Sequence, residues 1–278
     1  MQVFICHLAT MKPYEINLDL ESSEYHSRPE ISAHGLHLID KAPAYYRFAQ
    51  DHPKEDHDAY RFGRLVHLAV LEPEKWDSSV IVSEGFDRRT KAGKAAAELF
   101  EAQSAGKELC TPAENAIIQR ITDNVYNHPS AGKLLGEIGN VEPSLFYTQK
   151  DTGVKCRARP DFILHKGIIV DLKTSQSADA GTFARDAINY RYHVQAAMYL
   201  DAARSCELRA EAFVFIAVEK KAPYLVQVFE ASDEFIDAGR EEMLQNLLTY
   251  KQCVETGKWP GYSLEVETLN LPKWYVRK

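Results

Sequence analysis

Apolar and polar positions along the chain repeat with two different periods, and the period separates predicted strands from predicted helices. Short apolar runs bounded by turn residues predict strands, whereas longer segments with apolar residues three and four apart predict helices. The predicted strands lie near 144–149, 153–164, 167–174, 211–219 and 224–230. The predicted helices lie near 32–40, 43–50, 58–71, 91–104, 112–127, 182–205 and 233–256.

Turn and capping residues support this division and indicate how the chain is organised. Lys166-Gly167 is a turn signal between two apolar runs, and Gly257 suits the end of the last helix. The pattern predicts one α/β domain over residues 30–258. Residues 1–29 are expected to form an irregular N-terminal arm, and residues 259–278 a tail that packs on the domain or on a neighbouring subunit.

Two acidic residues and a lysine stand at matching points of one predicted hairpin. Asp161, in the sequence Arg-Pro-Asp, precedes the first apolar run, and Asp171-Leu172-Lys173 closes the second. A hairpin that turns at Lys166-Gly167 brings Asp161 near Asp171. Because side chains alternate along a strand, Asp171 and Lys173 share one face and Leu172 points to the other.

This cluster of two acids and an amine suits a divalent metal ion and a phosphate. Mg²⁺ prefers oxygen ligands and usually takes one or two protein carboxylates while it keeps several waters. Hydrolysis of a phosphodiester needs neutralisation of developing charge and an activated water, which a lysine beside the metal can orient or deprotonate. The alternative interpretation is a surface salt bridge at the end of a hairpin, since short patterns of this kind arise by chance.

Three further polar residues lie on predicted helices before and after the hairpin. His67 lies within the apolar helix 58–71. Gln195 and Tyr199 lie four residues apart in helix 182–205 and therefore share one face. Taken singly, a histidine in an apolar helix is more often a packed or surface residue than a ligand, and residues such as Gln195 and Tyr199 are more often ordinary helix residues.

In combination and in this order, these motifs resemble the RecB-like branch of the PD-(D/E)xK nuclease superfamily. The motifs are Gly63-Arg64-x-x-His67, Arg159-Pro160-Asp161, Asp171-x-Lys173 and Gln195-x-x-x-Tyr199. The chain is similar in particular to the RecE-type exonuclease VIII family, recombination exonucleases of prophage origin, over roughly residues 30 to 256. The resemblance implies a central mixed β-sheet flanked by helices, with a helical N-terminal part.

The same resemblance implies roles for the matched residues. Its metal ligands would be His67, Asp161, Asp171 and the backbone carbonyl of Leu172. Lys173 would be the catalytic lysine, and the metal would be Mg²⁺, with Mn²⁺ able to substitute. Gln195 and Tyr199 would support the site and contact DNA.

Three other residues are candidates for supporting the site or contacting DNA. Glu142 precedes the first predicted strand of the domain and is explained equally well as an ordinary carboxylate at a strand end. Arg159 and Arg191 belong to local groups of basic residues. Tyr190 and Tyr192, on either side of Arg191, either stack on a strand end or are core tyrosines.

Composition changes this picture little. The chain has 278 residues, of which 45% are hydrophobic and 26% charged, and no apolar run approaches the roughly 20 residues of a membrane span. The formal net charge of −7 excludes an overall basic surface but not a local basic groove. The basic groups are Arg88, Arg89, Lys91 and Lys94; Arg157 and Arg159; and Arg185 and Arg191.

Cysteine spacing indicates the cellular compartment and excludes some metal sites. The five cysteines are Cys6, Cys110, Cys156, Cys206 and Cys253. None pairs at Cys-x-x-Cys spacing, so a zinc ribbon is not expected, and the odd, widely spaced set favours reduced thiols in the cytoplasm. Some RecB-like nucleases carry an iron–sulfur cluster on closely spaced cysteines, and we expect none here.

The function implied by the resemblance is a metal-dependent exodeoxyribonuclease. It would degrade linear double-stranded DNA 5′ to 3′, release mononucleotides and leave a 3′ overhang. It would form a homo-oligomer, a ring-shaped tetramer around DNA, and would work with a single-strand annealing recombination protein. Three alternatives remain: a structure-specific or single-strand nuclease of the same superfamily, a non-catalytic DNA-binding module, and an unrelated α/β protein with coincidental motifs.

Overall fold

The computed structural model describes residues 14–52, 58–83, 85–86 and 89–271. Its strands are β1 (Tyr14–Asn17), β2 (Val80–Val82), β3 (Glu108–Cys110), β4 (Gly139–Val141), β5 (Ser144–Thr148), β6 (Lys155–Ala158), β7 (Phe162–Leu164), β8 (Ile168–Ser175), β9 (Ala212–Glu219) and β10 (Val226–Glu230). Its α-helices are α1 (Ser22–Ser27), α2 (Ala33–Lys41), α3 (Pro43–Asp51), α4 (Asp58–Leu71), α5 (Trp76–Ser79), α6 (Lys91–Gln103), α7 (Pro112–Asn127), α8 (Pro129–Leu135), α9 (Ala180–Asn189), α10 (Tyr192–Ser205) and α11 (Asp233–Thr256).

A five-stranded mixed sheet, in the order β10-β9-β8-β7-β4, carries the acidic hairpin. Strands β8 and β9 run parallel, and the other neighbours are antiparallel. Parallel neighbours need a crossover connection, and the chain supplies one by leaving β8, forming α9 and α10, and returning as β9. The described chain also forms an antiparallel sheet, β1-β5-β6, and a parallel pair, β2-β3. The predicted fold class is therefore confirmed.

Apolar layers cover both faces of the central sheet, as the alternation along β7 shows. Ile163 joins an apolar cluster with residues of α2, α10 and α11, whereas Phe162 and Leu164 join a second cluster with residues of α4 and α7. Burial of both faces explains why β9 and the first three residues of β8 are almost continuously apolar. Among the described helices, none combines the length and the hydropathy needed to cross a bilayer.

Two predicted elements are each divided in the structure. The single strand predicted over 153–164 is two strands, because Pro160 lacks an N–H group and interrupts the ladder; β6 pairs with β5, and β7 pairs with β8. The single helix predicted over 182–205 is α9 followed by α10. Arg191 separates them in the left-handed conformation, with φ of 60°.

The ends of the domain also differ in part from expectation. Residues 14–17, predicted to be irregular, pair with β5, and residues 22–27 form α1. Residues 1–13 and Arg88 lie outside the described ranges. In the tail, Trp259 stacks on Tyr46 with ring centroids 5.5 Å apart. Beyond it, apolar side chains such as that of Leu264 are fully exposed.

Candidate active site

The β7–β8 hairpin brings the two predicted acids together. Phe162 pairs with Val170, so Asp161, immediately before Phe162, lies opposite Asp171, immediately after Val170. The Asp161 carboxylate accepts a 2.7 Å hydrogen bond from the backbone N–H of Leu172. The hairpin thus fixes Asp161 through the backbone of the strand that carries Asp171, and this part of the prediction is confirmed.

Lys173 is paired with Asp171 inside the protein. Its Nζ lies 2.5 Å from Asp171 Oδ2, where the Asp171 side chain is fully buried and that of Lys173 is 16% exposed. Burial alone would lower the pKa of Lys173, but the nearby carboxylates of Asp171 and Asp161 outweigh burial and raise it. Lys173 therefore carries a proton at neutral pH and acts as a fixed cation beside the acids.

The carboxyl group of Asp161 resists ionisation. Burial, followed by repulsion from Asp171, raises the pKa of Asp161 to about 8, against the opposing effects of Lys173 and the Leu172 N–H group. Two ionised acids that face each other in a largely buried place repel each other, and the Lys173 ammonium, which lies against Asp171, does not prevent the rise in the pKa of Asp161. A metal ion between the acids would supply a second positive charge.

His67 lies on α4, which covers the face of the sheet opposite to α10, and its side chain also lies next to the acids. Its Nδ1 lies 3.6 Å from Asp161 Oδ2, and its side chain is 24% exposed. Helix α4 packs on β8, since Leu65 and Val66 of the helix share an apolar cluster with Val170 and Leu172 of the strand. Burial and then Lys173 lower the pKa of His67, so the neutral ring has a lone pair for a metal ion.

Gln195 and Tyr199 close the site from α10. The Gln195 Nε2 group donates to Asp171 Oδ1 at 3.3 Å and to the Tyr199 hydroxyl at 3.1 Å. Asp171 is therefore held between an ammonium and an amide, and Tyr199 orients the amide. The structure brings both residues to the site as predicted, and their contact with DNA stays a prediction.

Glu142 also lies at the site. It follows β4, its N–H group donates to the Asp161 carbonyl at 2.9 Å, and its φ of 45° is unusual for a residue other than glycine. Burial, followed by repulsion from Asp161, raises the pKa of Glu142. The carboxyl group of Glu142 is thus close enough to Asp161 for the two to repel each other, and its supporting role stays a prediction.

The Arg159 side chain contacts other parts of the protein, although Arg159 is only two residues before Asp161. Its Nη2 donates to Ser144 Oγ at 2.7 Å and to the Leu20 carbonyl at 2.8 Å. Its guanidinium also lies over the Tyr25 ring, 4.3 Å from the centroid. These contacts tie α1 and the segment before it to the sheet that contains β5, so the described contacts of Arg159 are structural and its predicted role toward DNA stays a prediction.

Arg191 is likewise engaged within the protein. It forms ion pairs with Asp40 at 2.6 Å and with Glu242 at 2.8 Å, and its side chain is only 14% exposed. These partners lie on α2 and α11. Arg191 therefore holds the α9–α10 junction, and its predicted contact with DNA stays untested.

Tyr192 is a neighbour of the site whose position the sequence did not settle. Lys173 Nζ lies 4.8 Å from the centroid of the Tyr192 ring, close enough for a cation–π interaction. The ring also packs on Phe215, which agrees with the alternative of a core tyrosine, and stacking of Tyr192 on a strand end stays a prediction. A break between α9 and α10 would have signalled this placement, but no proline or glycine marks it.

The predicted metal ligands lie next to one another, but their side chains are not arranged as a complete coordination site. Within the described ranges, no group of three or more His, Cys, Asp or Glu side chains is arranged to hold a metal ion. Asp161 and His67 face each other, while the Asp171 carboxylate contacts Lys173 and Gln195. An imidazole and two carboxylates nevertheless match the donor chemistry of a divalent cation, and an ion shared by all three requires Asp171 to change its contacts.

Comparison with protein families and solved structures places the fold. A family described as "PDDEXK-like domain of unknown function (DUF3799)" matches residues 35–272. No curated protein matches the chain. A crystal structure of a candidate exonuclease from Eubacterium rectale is similar with a TM-score of 0.56 and 16% identity, over 92% of this chain and 96% of that one.

A second solved structure is more distant. It is an alkaline exonuclease from Laribacter hongkongensis, with a TM-score of 0.28 and 17% identity over 71% of this chain and 93% of that one. At such a score the likeness carries no argument. The Eubacterium rectale structure, at its low identity, supports the fold alone, and the roles of individual residues depend on the geometry described above.

Proposed function

The chain belongs to the PDDEXK-like family, and we propose that it is a metal-dependent nuclease whose active site is the cluster of Asp161, Asp171 and Lys173. The observation that carries this proposal is the facing pair of acids with a buried ammonium 2.5 Å from one of them. A structural salt bridge would need one acid for one lysine. Here a second acid, with its pKa raised to about 8, has the neutral His67 ring as its neighbour.

Each side chain has a distinct part in this proposal. His67, Asp161 and Asp171, with the Leu172 carbonyl as a further donor, would hold the metal ion. When bound, a divalent ion supplies charge neutralisation at the phosphate and lowers the pKa of a water. Because the pKa of Lys173 is raised, its ammonium orients the water or donates a hydrogen bond to a phosphate oxygen, and it does not remove a proton at neutral pH.

We further propose that the substrate is the end of linear double-stranded DNA and that the metal is Mg²⁺. The support is the resemblance to RecE-type exonucleases, which also underlies 5′ to 3′ polarity, release of mononucleotides, a 3′ overhang, a ring-shaped tetramer and a single-strand annealing partner. The proposed cytoplasmic location depends on the odd, widely spaced set of cysteines. Digestion of 5′- and 3′-labelled linear duplex, nicked circle, closed circle and single strand tests the substrate. Equal activity on closed circles contradicts the exonuclease proposal.

Metal binding is expected to tighten as the pH is raised through about 8. Asp161 keeps its proton up to about that pH in the metal-free protein and must lose it to bind a cation. Without metal, the stability of the folded protein changes with pH in the opposite direction. The folded state holds a proton on Asp161 that the unfolded state loses above its ordinary pKa of 3.8. The contribution of Asp161 to stability therefore falls as the pH rises from 3.8 to about 8.

Calorimetric titration with Mg²⁺ or Mn²⁺ in buffers of different ionisation enthalpy measures the protons released. We expect the Asp161→Asn variant to release fewer protons and to lose most of the pH dependence. Asp123→Asn, which alters an exposed acid of α7, is the matched control and should behave as the wild type. Proton release that is unchanged in Asp161→Asn contradicts the role of Asp161 as a ligand.

A further inference from the structure

A row of aromatic rings leads outward from the catalytic lysine. The Tyr192 ring lies 4.8 Å from Lys173 Nζ and rests on Phe215 with 5.9 Å between ring centroids. The Tyr190 ring stacks on Tyr192, with centroids 5.8 Å apart and ring planes 28° apart. Tyr190 is 64% exposed, so the row begins in the buried site and ends at the surface.

The backbone holds Tyr190 in this exposed position. Its N–H group donates to the Asp186 carbonyl at 2.8 Å and ends α9. The next residue, Arg191, adopts the left-handed conformation, which is disfavoured for a residue other than glycine. Ion pairs from Arg191 to Asp40 and Glu242 stabilise this turn, and the turn holds the Tyr190 ring in its exposed position.

Of the residues at this junction, Tyr190 offers a π-face to an incoming ligand. The Tyr192 ring is covered by Phe215 and by Tyr190, and the guanidinium of Arg191 is engaged with two acids. One side of the Tyr190 ring rests on Tyr192 and most of the residue is accessible. Proteins bind single-stranded nucleic acids by stacking the bases on aromatic side chains. An exposed aromatic ring near a proposed phosphate-binding site suits this kind of binding.

We propose that Tyr190 is a stacking site for an unpaired nucleobase of the strand whose phosphate reaches Lys173. The proposal rests on the proposed nuclease function and adds to it a requirement on the substrate. Within a duplex, both faces of a base are covered by its neighbours, so a ring can stack only on a terminal, frayed or single-stranded base. The strand beside the active site therefore has an open base face there, at a terminal, frayed or single-stranded nucleotide, and binding tolerates any base because every base has a π-face.

Stacking is measured directly with an oligonucleotide that carries the fluorescent base 2-aminopurine next to the end that binds the site. Ca²⁺ replaces Mg²⁺ so that binding is measured without cleavage. Wild type is expected to quench the fluorescence of the probe on binding. Tyr190→Ala should lose the quenching and bind the oligonucleotide about tenfold more weakly, within the range of one base–aromatic stack. Tyr190→Phe keeps the ring and should retain both properties.

A matched control is Ile188→Ala, which removes an exposed apolar side chain two residues earlier and should leave quenching and binding unchanged. In Mg²⁺, Tyr190→Ala should raise KM for DNA ends more than it lowers kcat. A wild type that cleaves DNA without quenching the probe overturns the stacking site and leaves the nuclease proposal intact. A wild type that quenches the probe through Tyr190 without cleaving supports the stacking site and overturns the nuclease proposal.

Discussion

Replacement of Lys173 by alanine is expected to lower Mg²⁺-dependent cleavage of linear DNA by about 10²- to 10³-fold, as for loss of one preorganised donor to a charged transition state. The physical reason is the position of the ammonium, 2.5 Å from Asp171 and with its pKa raised by both acids. Single-turnover rates with saturating protein and end-labelled duplex report this loss without a contribution from product release.

Lys166→Ala is the matched control, because it removes a lysine from the turn of the same hairpin. Lys166 is exposed, pairs with Glu137 at 2.9 Å, and should be replaceable without loss of rate. Because loss of the ammonium leaves Asp171 buried without its counterion, thermal unfolding and DNA binding in Ca²⁺ are needed to show that the variant is folded. Cleavage by folded Lys173→Ala at the wild-type rate would falsify the assignment of the site.

Gly239→Ala is expected to lower the free energy of unfolding by about 1–3 kcal/mol, which is the usual cost of overpacking. A Cβ at this position of α11 would lie 2.0 Å from the His193 carbonyl oxygen and 2.9 Å from the Val194 nitrogen. Backbone atoms cannot rotate away, so α10 and α11 must separate. Helix α10 carries Gln195, and the cleavage rate should therefore fall as well.

The sign of this effect makes the experiment decisive. Helix propensity alone favours alanine over glycine by about 1 kcal/mol, so without the close contact the variant would be more stable. Gly63→Ala in α4 is the control: its Cβ would meet only Thr174 Oγ1, at 3.8 Å, and the variant should gain stability. Urea unfolding measures both, and a stabilised Gly239→Ala contradicts the close approach of the two helices.

The part of the site that is local in sequence could be predicted from residues alone. Asp161 and Asp171 are joined by a short hairpin with a Lys-Gly turn, and the alternation of side chains along β8 places Lys173 beside Asp171. A hairpin fixes its own register through the turn and the apolar face. The facing acids followed from those two constraints.

The parts that depend on distant contacts could not be derived from pattern. Nothing in the apolar helix α4 indicates that His67 would lie 3.6 Å from Asp161; only the order of motifs suggested it. The break between α9 and α10 is stabilised by ion pairs from Arg191 to Asp40 and Glu242, which are far from it in sequence. The periodicity of apolar residues carries no information about such distant ion-pair partners, so the sequence predicted one long helix.

Strand β8 has paired neighbours on both sides, β7 and β9, and its residues from Ile169 to Leu172 are buried. Backbone amides in such a strand exchange with solvent deuterium only when the whole domain opens. Asp171 therefore sits on a slowly exchanging part of the chain, and its geometry should persist through local fluctuations. On heating, loss of activity should coincide with cooperative melting of the domain instead of preceding it.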